Sequence, residues 1–431
     1  MAKPKLALIP AAQGSKFYSV LPSSGVGDFD FTRSGSATRI NSQGLIEEVS
    51  NGQSRLNYPM IDGKVVGCPS LLLEPQRTNL CSNSKVDAYS KSSSIVRTLN
   101  NGISPLGIND AVKLEKGSSS AEYYNLLIAS TTLSSTTTYS HSIFIKRDGS
   151  DFDFTLEYNN STNYGVSWNV DFTINSDGVF VNSAASAVGK VERYINDWYK
   201  VTAIVTTATP TSALTSYLLR LKASNGSGAS ILLQDHQFEQ GSYPTSYIPT
   251  NGSTVTRSAE VANGSGDAAT FNDSEGVLMA EISAFTTNET RVISISDGST
   301  ANNIYVNVNN TGSIGGQVIS GGTAQCNLSS VNISPNISQL DFNKIAITYK
   351  VNDFQLWING IKVASDNSGI TFEDGVLNRL NFDFGTGAYD FYGNTKQLQY
   401  YDSALTDSEL ETLTSWVSFS DMANGQLYTI Q

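Results

Sequence analysis

Alternation of apolar and polar residues constrains the fold of this chain more than any other feature. Between residues 85 and 260, apolar side chains recur at every second position, in runs at 139–145, 152–158, 166–174, 199–205 and 217–221. Successive side chains of a strand point to opposite faces, so this pattern predicts strands with one face on a core. Asp148-Gly149 and Asp177-Gly178 supply turns between runs. Short strands at regular spacing predict an antiparallel sandwich or jelly roll.

The same β pattern resumes after residue 268, and residues 347–365 are its clearest part. Phe354, Leu356 and Ile358 alternate before Asn359-Gly360. Asn and Gly tolerate the positive φ of a type I′ turn, so a hairpin is predicted here. The fold class is therefore all-β: two tandem jelly-roll sandwiches.

One short C-terminal helix is predicted after residue 405. Thr406 and Glu409 have the spacing of a capping box, and Leu405 and Leu410 that of a hydrophobic staple. Thr406 is the predicted N-terminal cap of this helix. Leu410, Leu413 and Val417 form an apolar stripe that should pack on the sandwich.

Residues 1–80 are expected to form an extended N-terminal segment for anchoring or oligomerisation. Glycines divide it into short pieces, among them 29–33, 37–40, 45–49 and 70–75. Such a segment needs a partner surface, in the next domain or in other subunits. The alternative is an irregular subdomain packed on its own chain.

Residues 232–257 divide the two β-rich units. They begin as a strand and continue with two prolines, Pro244 and Pro249, that alternate with Tyr243 and Tyr247. Proline lacks the amide hydrogen that a central strand needs, so this part is predicted to be an extended strap. Its aromatic residues are expected to pack against the first sandwich. The polar, glycine-containing stretch 260–267 is interpreted as a linker. The predicted domains are therefore 1–80, 81–260 and 268–418, with a tail at 419–431.

Composition excludes several classes of function. The formal net charge of -12 and the absence of a basic stripe argue against a nucleic-acid partner. Three scattered cysteines do not make a disulfide framework and fit a reducing cytoplasm. The N-terminus lacks the pattern of a signal peptide, and no apolar run is long enough to insert in a membrane. A virion protein made in the host cytoplasm fits these features.

Several stretches together resemble known families. Residues 37–80 resemble an N-terminal signature of bacteriophage virion and fibre proteins. Residues 195–206 and 237–250 are similar to the carbohydrate-binding-module-like jelly roll that follows it, and Trp198 in this motif is expected to be structural. Residues 347–365 with 392–413 resemble the LamG-like, concanavalin A-type jelly roll. The resemblance implies a phage structural protein with lectin-like domains.

Catalysis and histidine metal sites are not expected. The Glu-x-Asp-x-x-Glu run of concanavalin A-like hydrolases does not occur, and Asp151 and Asp153 are expected to face solvent. His141 and His236 have no His or Cys near them in the sequence, and His141 should be a hydrogen-bonded core or edge residue. No other cofactor is expected, but the LamG-like resemblance allows a Ca²⁺ ion. Its candidate ligands are Asp297, Asp353 and Asp366. The favoured alternative is that all three are ordinary turn carboxylates.

Sugar binding is the more credible site chemistry, because aromatic faces stack on pyranose rings while amides and carboxylates bond the hydroxyls. The alternative is that aromatic residues at every second position are core. The candidates are Tyr123, Tyr124, Tyr158, Tyr164 and Trp168 in the first sandwich, and Trp357, Tyr389 and Tyr392 in the second.

The sequence thus favours a virion structural protein, a head or tail fibre or surface decoration, that adheres to host or environmental glycans. Its expected partners are other virion proteins, surface glycans and copies of itself, as a homotrimer. One alternative is an architectural capsid or tail protein whose jelly rolls contact only other proteins, which would have aromatic-rich contact surfaces and no open groove. The other is an enzyme that degrades polysaccharide.

Overall fold

Antiparallel β-strands make up nearly all of the regular structure. The computed structural model describes residues 3–417 apart from residues 11, 14–15, 159–160 and 331–336, and it also describes Asp421. The all-β prediction is confirmed. Neither α-helix in the described part of the chain has the length and apolar character needed to cross a membrane.

The N-terminal segment contains short strands, and four of its predicted pieces are among them. These strands are β1 (Leu6–Leu8), β2 (Ala12–Gln13), β3 (Lys16–Phe17), β4 (Phe29–Thr32), β5 (Ala37–Ile40), β6 (Ile46–Val49), β7 (Arg55–Asn57), β8 (Met60–Ile61), β9 (Lys64–Val65), β10 (Ser70–Leu73) and β11 (Arg77–Asn79).

The first sandwich contains the next set of strands and short helical turns. They are β12 (Val96–Thr98), β13 (Val112–Glu115), β14 (Glu122–Thr131), β15 (Thr138–Arg147), β16 (Phe152–Tyr158), α1 (Ser161–Tyr164), β17 (Trp168–Asn175), β18 (Gly178–Ala185), β19 (Val188–Arg193), the 3₁₀ turn Ile195–Asp197, β20 (Trp198–Thr206), β21 (Leu214–Leu221) and β22 (Ser230–Gln240).

Two sheets face each other in this first sandwich. One has the order β12-β13-β22-β15-β20-β19 and the other β14-β21-β16-β17-β18. The strands β13-β22-β15-β20 of the first sheet and β14-β21-β16-β17 of the second follow jelly-roll order. Alternate residues of each strand fill the space between the sheets, as predicted; Phe154, Leu156 and Val170 are fully buried there.

The second sandwich is formed mainly by the remaining elements. These are β23 (Val255–Arg257), β24 (Val261–Asn263), β25 (Glu275–Ala284), β26 (Arg291–Ser296), β27 (Asn303–Val308), β28 (Ile314–Ser320), β29 (Thr323–Ser329), β30 (Asn343–Lys350), β31 (Asp353–Ile358), β32 (Ile361–Asp366), β33 (Arg379–Asn381), β34 (Gly393–Tyr401) and α2 (Asp407–Thr414).

Strands of the N-terminal segment complete this second sandwich. Its larger sheet has the order β32-β31-β30-β25-β34-β10-β7, and β1 also pairs with β34. Leu6, Leu71 and Leu73 therefore join the same core as Leu398. Pairing with β1 and β10 also covers an edge of β34 that would otherwise expose unpaired amides. In the chain, the first sandwich is thus inserted between two parts of the second.

The chain enters and leaves the first sandwich side by side, because β11 pairs antiparallel with β23. The strap that follows β22 contacts both sandwiches. Tyr247 packs with Phe144 and Trp198 on the first, as predicted. Tyr243, in contrast, contacts Phe285 of the second, with ring centroids 5.4 Å apart. The strap therefore fixes the inserted sandwich to its neighbour.

The linker interpretation of residues 260–267 differs from what the structure shows. Residues 261–263 form β24, which pairs with β4. Ala262 is fully buried in the second core, and Glu260 is 1% exposed. The polar sequence looks like a linker because its partners come from the N-terminal segment, more than 200 residues earlier in the printed sequence.

The predicted hairpin and helix cap are both confirmed. Asn359 and Gly360 have φ values of 50° and 83° between β31 and β32. Thr406 caps the helix, and both bonds of the capping box are present. The helix ends at Thr414, however, so Val417 is not part of its apolar stripe and is 93% exposed. The predicted tail 419–431 lies outside the described residues, except for Asp421.

A buried network of charges joins the strap, the N-terminal segment and the start of β24. Glu260 accepts hydrogen bonds from Arg33 (2.8 Å) and Arg55 (2.8 Å). Glu74 pairs with Arg55 (2.9 Å) and Arg257 (2.7 Å) and accepts from the strap's Ser246 hydroxyl (2.6 Å). All three guanidinium groups are inaccessible to solvent. Burial opposes ionisation of Glu74, but the two arginines outweigh it and lower its pKa to about 2.

Candidate functional site

Three of the aromatic residues predicted to bind sugar lie in the core of the first sandwich. Tyr124 and Tyr164 are fully buried, and Trp168 is 1% exposed. The Tyr164 and Trp168 rings meet edge to face, with centroids 5.8 Å apart. Burial raises the pKa of Tyr164 well above its usual value. Rings enclosed by protein offer no face to a sugar in this conformation, so these side chains pack the core.

Tyr123 and Tyr158 are half-buried and occupy different faces. Tyr158 continues the inward row of β16, opposite Trp168, and its hydroxyl donates to Asn163. Tyr123 lies on the outer face of β14, where the Arg220 guanidinium is 6.0 Å from its ring centroid. Tyr123 is therefore the predicted aromatic residue of this sandwich that reaches an outer surface.

The candidates of the second sandwich do not line one site. Trp357 packs beneath α2, whereas Tyr392 belongs to the main core between the sheets. Lys362 and Arg291 lie over their rings, at 5.4 Å and 4.7 Å from the centroids. Tyr389, in a loop, is 57% exposed. Sugar binding by any of the predicted residues stays a prediction.

The structure does not bring the three calcium candidates into one group. Asp297 accepts bonds from the Ser299 amide and the Asn302 side chain in its own turn, and these bonds outweigh burial and lower its pKa. Asp353 and Asp366 lie near one end of the β31–β32 hairpin, in the other sheet. In the described part of the chain, no three His, Cys, Asp or Glu side chains are placed to hold one metal ion. Calcium binding stays a prediction.

The two histidines, distant in sequence, lie together in the first core. Their rings are 6.1 Å apart, and Cys81 Sγ lies 3.3 Å from His236 Nδ1. Pairing of β15 with β22 produces this proximity. The expectation of a hydrogen-bonded His141 is wrong within the described residues, because neither of its ring nitrogens has a partner there.

A groove on the outer face of the first sandwich gathers polar and charged side chains. It lies on the five-stranded sheet and has a volume of about 470 Å³. Six of its residues are the outward-pointing members of alternating strands whose inward members fill the core, and the other three follow the end of β21. The lining residues are Asp153, Thr155, Glu157, Asn169, Asp171, Arg220, Lys222, Ala223 and Ser224.

Asp171 is held at the centre of this groove by three donors. Lys222 Nζ lies 2.7 Å from it, Thr155 Oγ1 donates at 2.7 Å, and Ser183 Oγ donates at 3.1 Å. Burial opposes ionisation, but bonds from Lys222 and Thr155 outweigh it and lower the pKa of Asp171. The carboxylate is therefore ionised and fixed at neutral pH.

Glu157 is less well satisfied than its neighbour. It is 2% exposed, and its Oε1 has no hydrogen-bond partner among the described residues. Arg220 approaches the other oxygen at 3.5 Å. Burial raises the pKa of Glu157, and this effect exceeds the opposing charge of Arg220. Arg220 Nε also lacks a partner in the described chain. Both atoms are inaccessible to solvent in this conformation, so the exposed part of the Arg220 side chain is the part that a ligand would contact.

This groove was not predicted, although the sequence contains a signal for it. Asp153 was expected to face solvent, and the outward residues of β17 and β21 lie on the same face of the sheet. Asp171 lies opposite Thr155, and Thr155 lies opposite Arg220. The alternation predicted which residues point outward; strand order, which brings them together, came only from the structure.

Comparisons with known proteins give matches among solved structures. No protein-family model matches the chain, and no curated protein matches its sequence. The Ruminococcus gnavus IT-sialidase CBM40 is 22% identical, over 35% of this chain and 88% of its own, with a TM-score of 0.29. Mouse laminin alpha1 domains LG4-5 are 9% identical, over 74% of this chain and 91% of theirs, with a TM-score of 0.24.

The Limulus polyphemus SAP-like pentraxin is a third similar structure. It is 13% identical, over 34% of this chain and 71% of its own, with a TM-score of 0.27. Likeness at these identities and TM-scores carries no conclusion about what this chain binds. The groove itself is therefore the feature of this chain that indicates a function.

Proposed function

We propose that this chain is a non-enzymatic adhesion protein of a bacteriophage particle and that the groove of the first sandwich binds surface glycans. One observation carries the binding proposal: an open groove in which fixed carboxylate, amide and basic groups stand side by side. Sugar hydroxyls both donate and accept, so they match a surface that offers both kinds of partner. Tyr123, next to Arg220, supplies an aromatic face at the edge.

The architectural alternative receives less support from this surface. A jelly roll that only contacts other proteins would carry broad apolar patches and no open groove. Here the outer face of the sheet carries the Lys222–Asp171 ion pair at 2.7 Å and the more weakly coupled Arg220 and Glu157 at 3.5 Å. Such groups cost free energy to desolvate against a flat partner unless each is paired.

The virion part of the proposal rests on the phage-type motifs and the acidic composition. The N-terminal segment carries exposed apolar side chains, Ile9 (55%), Tyr18 (46%) and Val20 (54%), which suit anchoring to other virion proteins or trimer formation. Imaging of the intact particle would give the protein's position and copy number. Absence from the particle would contradict this part alone.

The groove proposal predicts that Arg220→Gln weakens glycan binding. The full chain is applied to an array of bacterial envelope polysaccharides, and the affinity for the best-bound glycan is measured by calorimetry. We expect a loss of about tenfold or more, because a hydrogen bond to a charged group contributes about 1.5–3 kcal/mol. Arg379→Gln, an exposed arginine of the second sandwich, is the matched control and should bind normally.

Two outcomes would contradict the groove proposal. Normal binding by Arg220→Gln would place the site elsewhere, and no binding by the natural chain would favour the architectural role.

Hydrolysis is a second candidate, because Glu157 and Asp171 have pKa values shifted in opposite directions within one groove. Their register places them diagonally across β16 and β17. Release of reducing ends from the bound glycan would favour hydrolysis, whereas an intact glycan after incubation would favour adhesion alone.

A further inference from the structure

A second cavity lies where the N-terminal segment, the strap and both sandwiches meet. Its volume is about 420 Å³, within the range of small-molecule sites, which commonly occur at domain junctions. Glu192 and Arg193, which line it, are exposed, so the cavity opens to solvent. Phe144, Phe342 and Leu72 are among its apolar lining residues.

Lys200 is a buried, charged residue of this lining whose hydrogen-bonding capacity is only partly satisfied by the described residues. It lies on the outer face of β20, is 6% exposed, and lines the cavity. Its Nζ donates to the strap's Thr245 carbonyl at 3.1 Å. Within the described residues no carboxylate pairs with it. An ammonium group has three donors, and a buried one without a counter-charge is costly.

The other charges of the cavity are already engaged or exposed. Glu74 is shared between Arg55 and Arg257, and Arg39 pairs with Glu47 at 2.6 Å. Arg193 pairs with Asp197 at 2.6 Å.

Two further acidic residues reach the cavity lining. Glu192 lies directly opposite Lys200 across β19 and β20, but in the described conformation no ion pair joins them. Asp62 also lines the cavity and lies near Arg193. Lys200 is therefore the buried charge of this lining that has no ion-pair partner among the described residues.

Neutral hydrogen-bonding groups accompany this charge. Asn57 Oδ1 accepts from the Ile40 amide at 2.8 Å, which leaves its Nδ2 donors without a partner among the described residues. No hydrogen bond joins the Tyr58 or Tyr194 hydroxyl to any described residue. The Tyr194 ring packs edge to face on Phe144 at 5.0 Å and walls the cavity.

We propose that this cavity binds a small ligand with one carboxylate, of the uronic-acid class, and that the carboxylate lies on Lys200 Nζ. One unpaired ammonium matches one negative charge, whereas phosphate binding in proteins commonly uses bidentate arginines or several backbone amides. Ligand hydroxyls would bond Asn57, Tyr58 and Tyr194. The site is separate from the groove on the first sandwich, so its failure would leave the groove proposal intact.

D-glucuronate and D-glucose form a matched pair of probes, because they differ only in the carboxylate at C6. We expect calorimetry on the full chain to show binding of D-glucuronate and a Kd for D-glucose at least tenfold weaker. Inorganic phosphate is the third probe; binding of phosphate but not of D-glucuronate would overturn the assignment to a carboxylate. Equal binding of both sugars, or binding of none of the three probes, would overturn the proposal.

Two variants test whether Lys200 binds the carboxylate of the ligand. Lys200→Met keeps the length and apolar stem of the side chain, and we expect it to lower affinity for D-glucuronate at least tenfold while D-glucose binding does not change. Glu192→Gln removes the nearest competing carboxylate and should bind D-glucuronate as well as the natural chain or more tightly. Loss of binding in Glu192→Gln, or normal binding in Lys200→Met, would contradict the proposal.

A measurement on the natural chain keeps the test independent of variant folding. Crystals soaked in D-glucuronate should show the carboxylate within hydrogen-bond distance of Lys200 Nζ. Density for the sugar elsewhere, with none in this cavity, would overturn the assignment.

Discussion

At the scale of single residues, the buried histidines His141 and His236 determine how the first core responds to pH. His236 Nε2 lies 2.7 Å from the Tyr89 hydroxyl, and its Nδ1 lies 2.5 Å from the Tyr217 hydroxyl. Burial lowers the pKa of His236 to about 3, and burial together with the charge of His236 lowers the pKa of His141 well below 6.5. Both rings are therefore neutral in the folded protein at neutral pH.

Because both histidines are buried and neutral, we expect the stability of the protein to fall at acidic pH. The variant His141→Phe should lose less stability than the natural protein. An unfolded histidine takes up a proton below pH 6.5 while the folded one does not, so stability falls as pH falls below 6.5. The loss is about 1.4 kcal/mol for each pH unit over which the folded ring stays neutral. Urea unfolding of the natural protein and of His141→Phe, each at pH 7 and at pH 5, measures the loss of stability. The difference between the two proteins at pH 7 gives the effect of the substitution on packing alone. Equal losses in the two proteins would contradict the prediction.

At the scale of single elements, helix α2 depends on its cap and its apolar face. Leu410 and Leu413 pack with Val277 and Trp357 on the outer side of the larger sheet of the second sandwich. Thr406 accepts from the Glu409 amide at 3.4 Å, and Glu409 reaches back to the Thr406 amide at 3.1 Å. Both features were predicted from sequence, because capping and the staple act over four or five residues.

Thr406→Ala should destabilise the helix by about 1 kcal/mol, because one amide of the first turn loses its acceptor. Hydrogen exchange of the amides in 407–414 measures the change. Thr412→Ala is the matched control: its hydroxyl bonds the Ser408 carbonyl at 2.8 Å, which does not cap the helix. Faster exchange in the control than in Thr406→Ala would contradict the assignment of Thr406 as the cap.

At the scale of the whole molecule, the buried charge network holds separate parts of the chain together. Arg55 contacts Glu74 and Glu260, which lie on either side of the inserted sandwich in the sequence, and also donates to Ser246 of the strap at 2.7 Å. Buried ion pairs contribute little net stability compared with apolar packing, but removing one partner leaves a buried charge uncompensated.

Arg55→Met should therefore destabilise the protein by roughly 3–5 kcal/mol. Arg39→Met is the matched control, because Arg39 and its partner Glu47 are partly exposed and such pairs contribute less than about 1 kcal/mol. Thermal unfolding of both variants measures the difference. Similar losses in the two variants would show that the network does not hold the molecule together.

Features that arise from neighbouring residues could be predicted from the sequence alone. Alternation identified the strands and their inward faces, Asn359-Gly360 the hairpin, and Thr406 with Glu409 the helix cap. These predictions succeed because strand faces, turn φ values and caps depend on a few consecutive side chains. Sugar binding by Tyr123, which lies on the outer face of β14, stays a prediction.

The way in which distant segments combine could not be predicted from the sequence and is seen in the folded chain. The pairing of β10 with β34, the histidine pair, the Arg220–Glu157 contact and the cavity at Lys200 all join residues far apart in sequence. The alternation of apolar and polar residues in a strand is the same whichever strand lies beside it. Alternation therefore cannot specify the order of the strands in a sheet. The groove and the cavity depend on that order, because outward side chains become a site only when particular strands lie side by side.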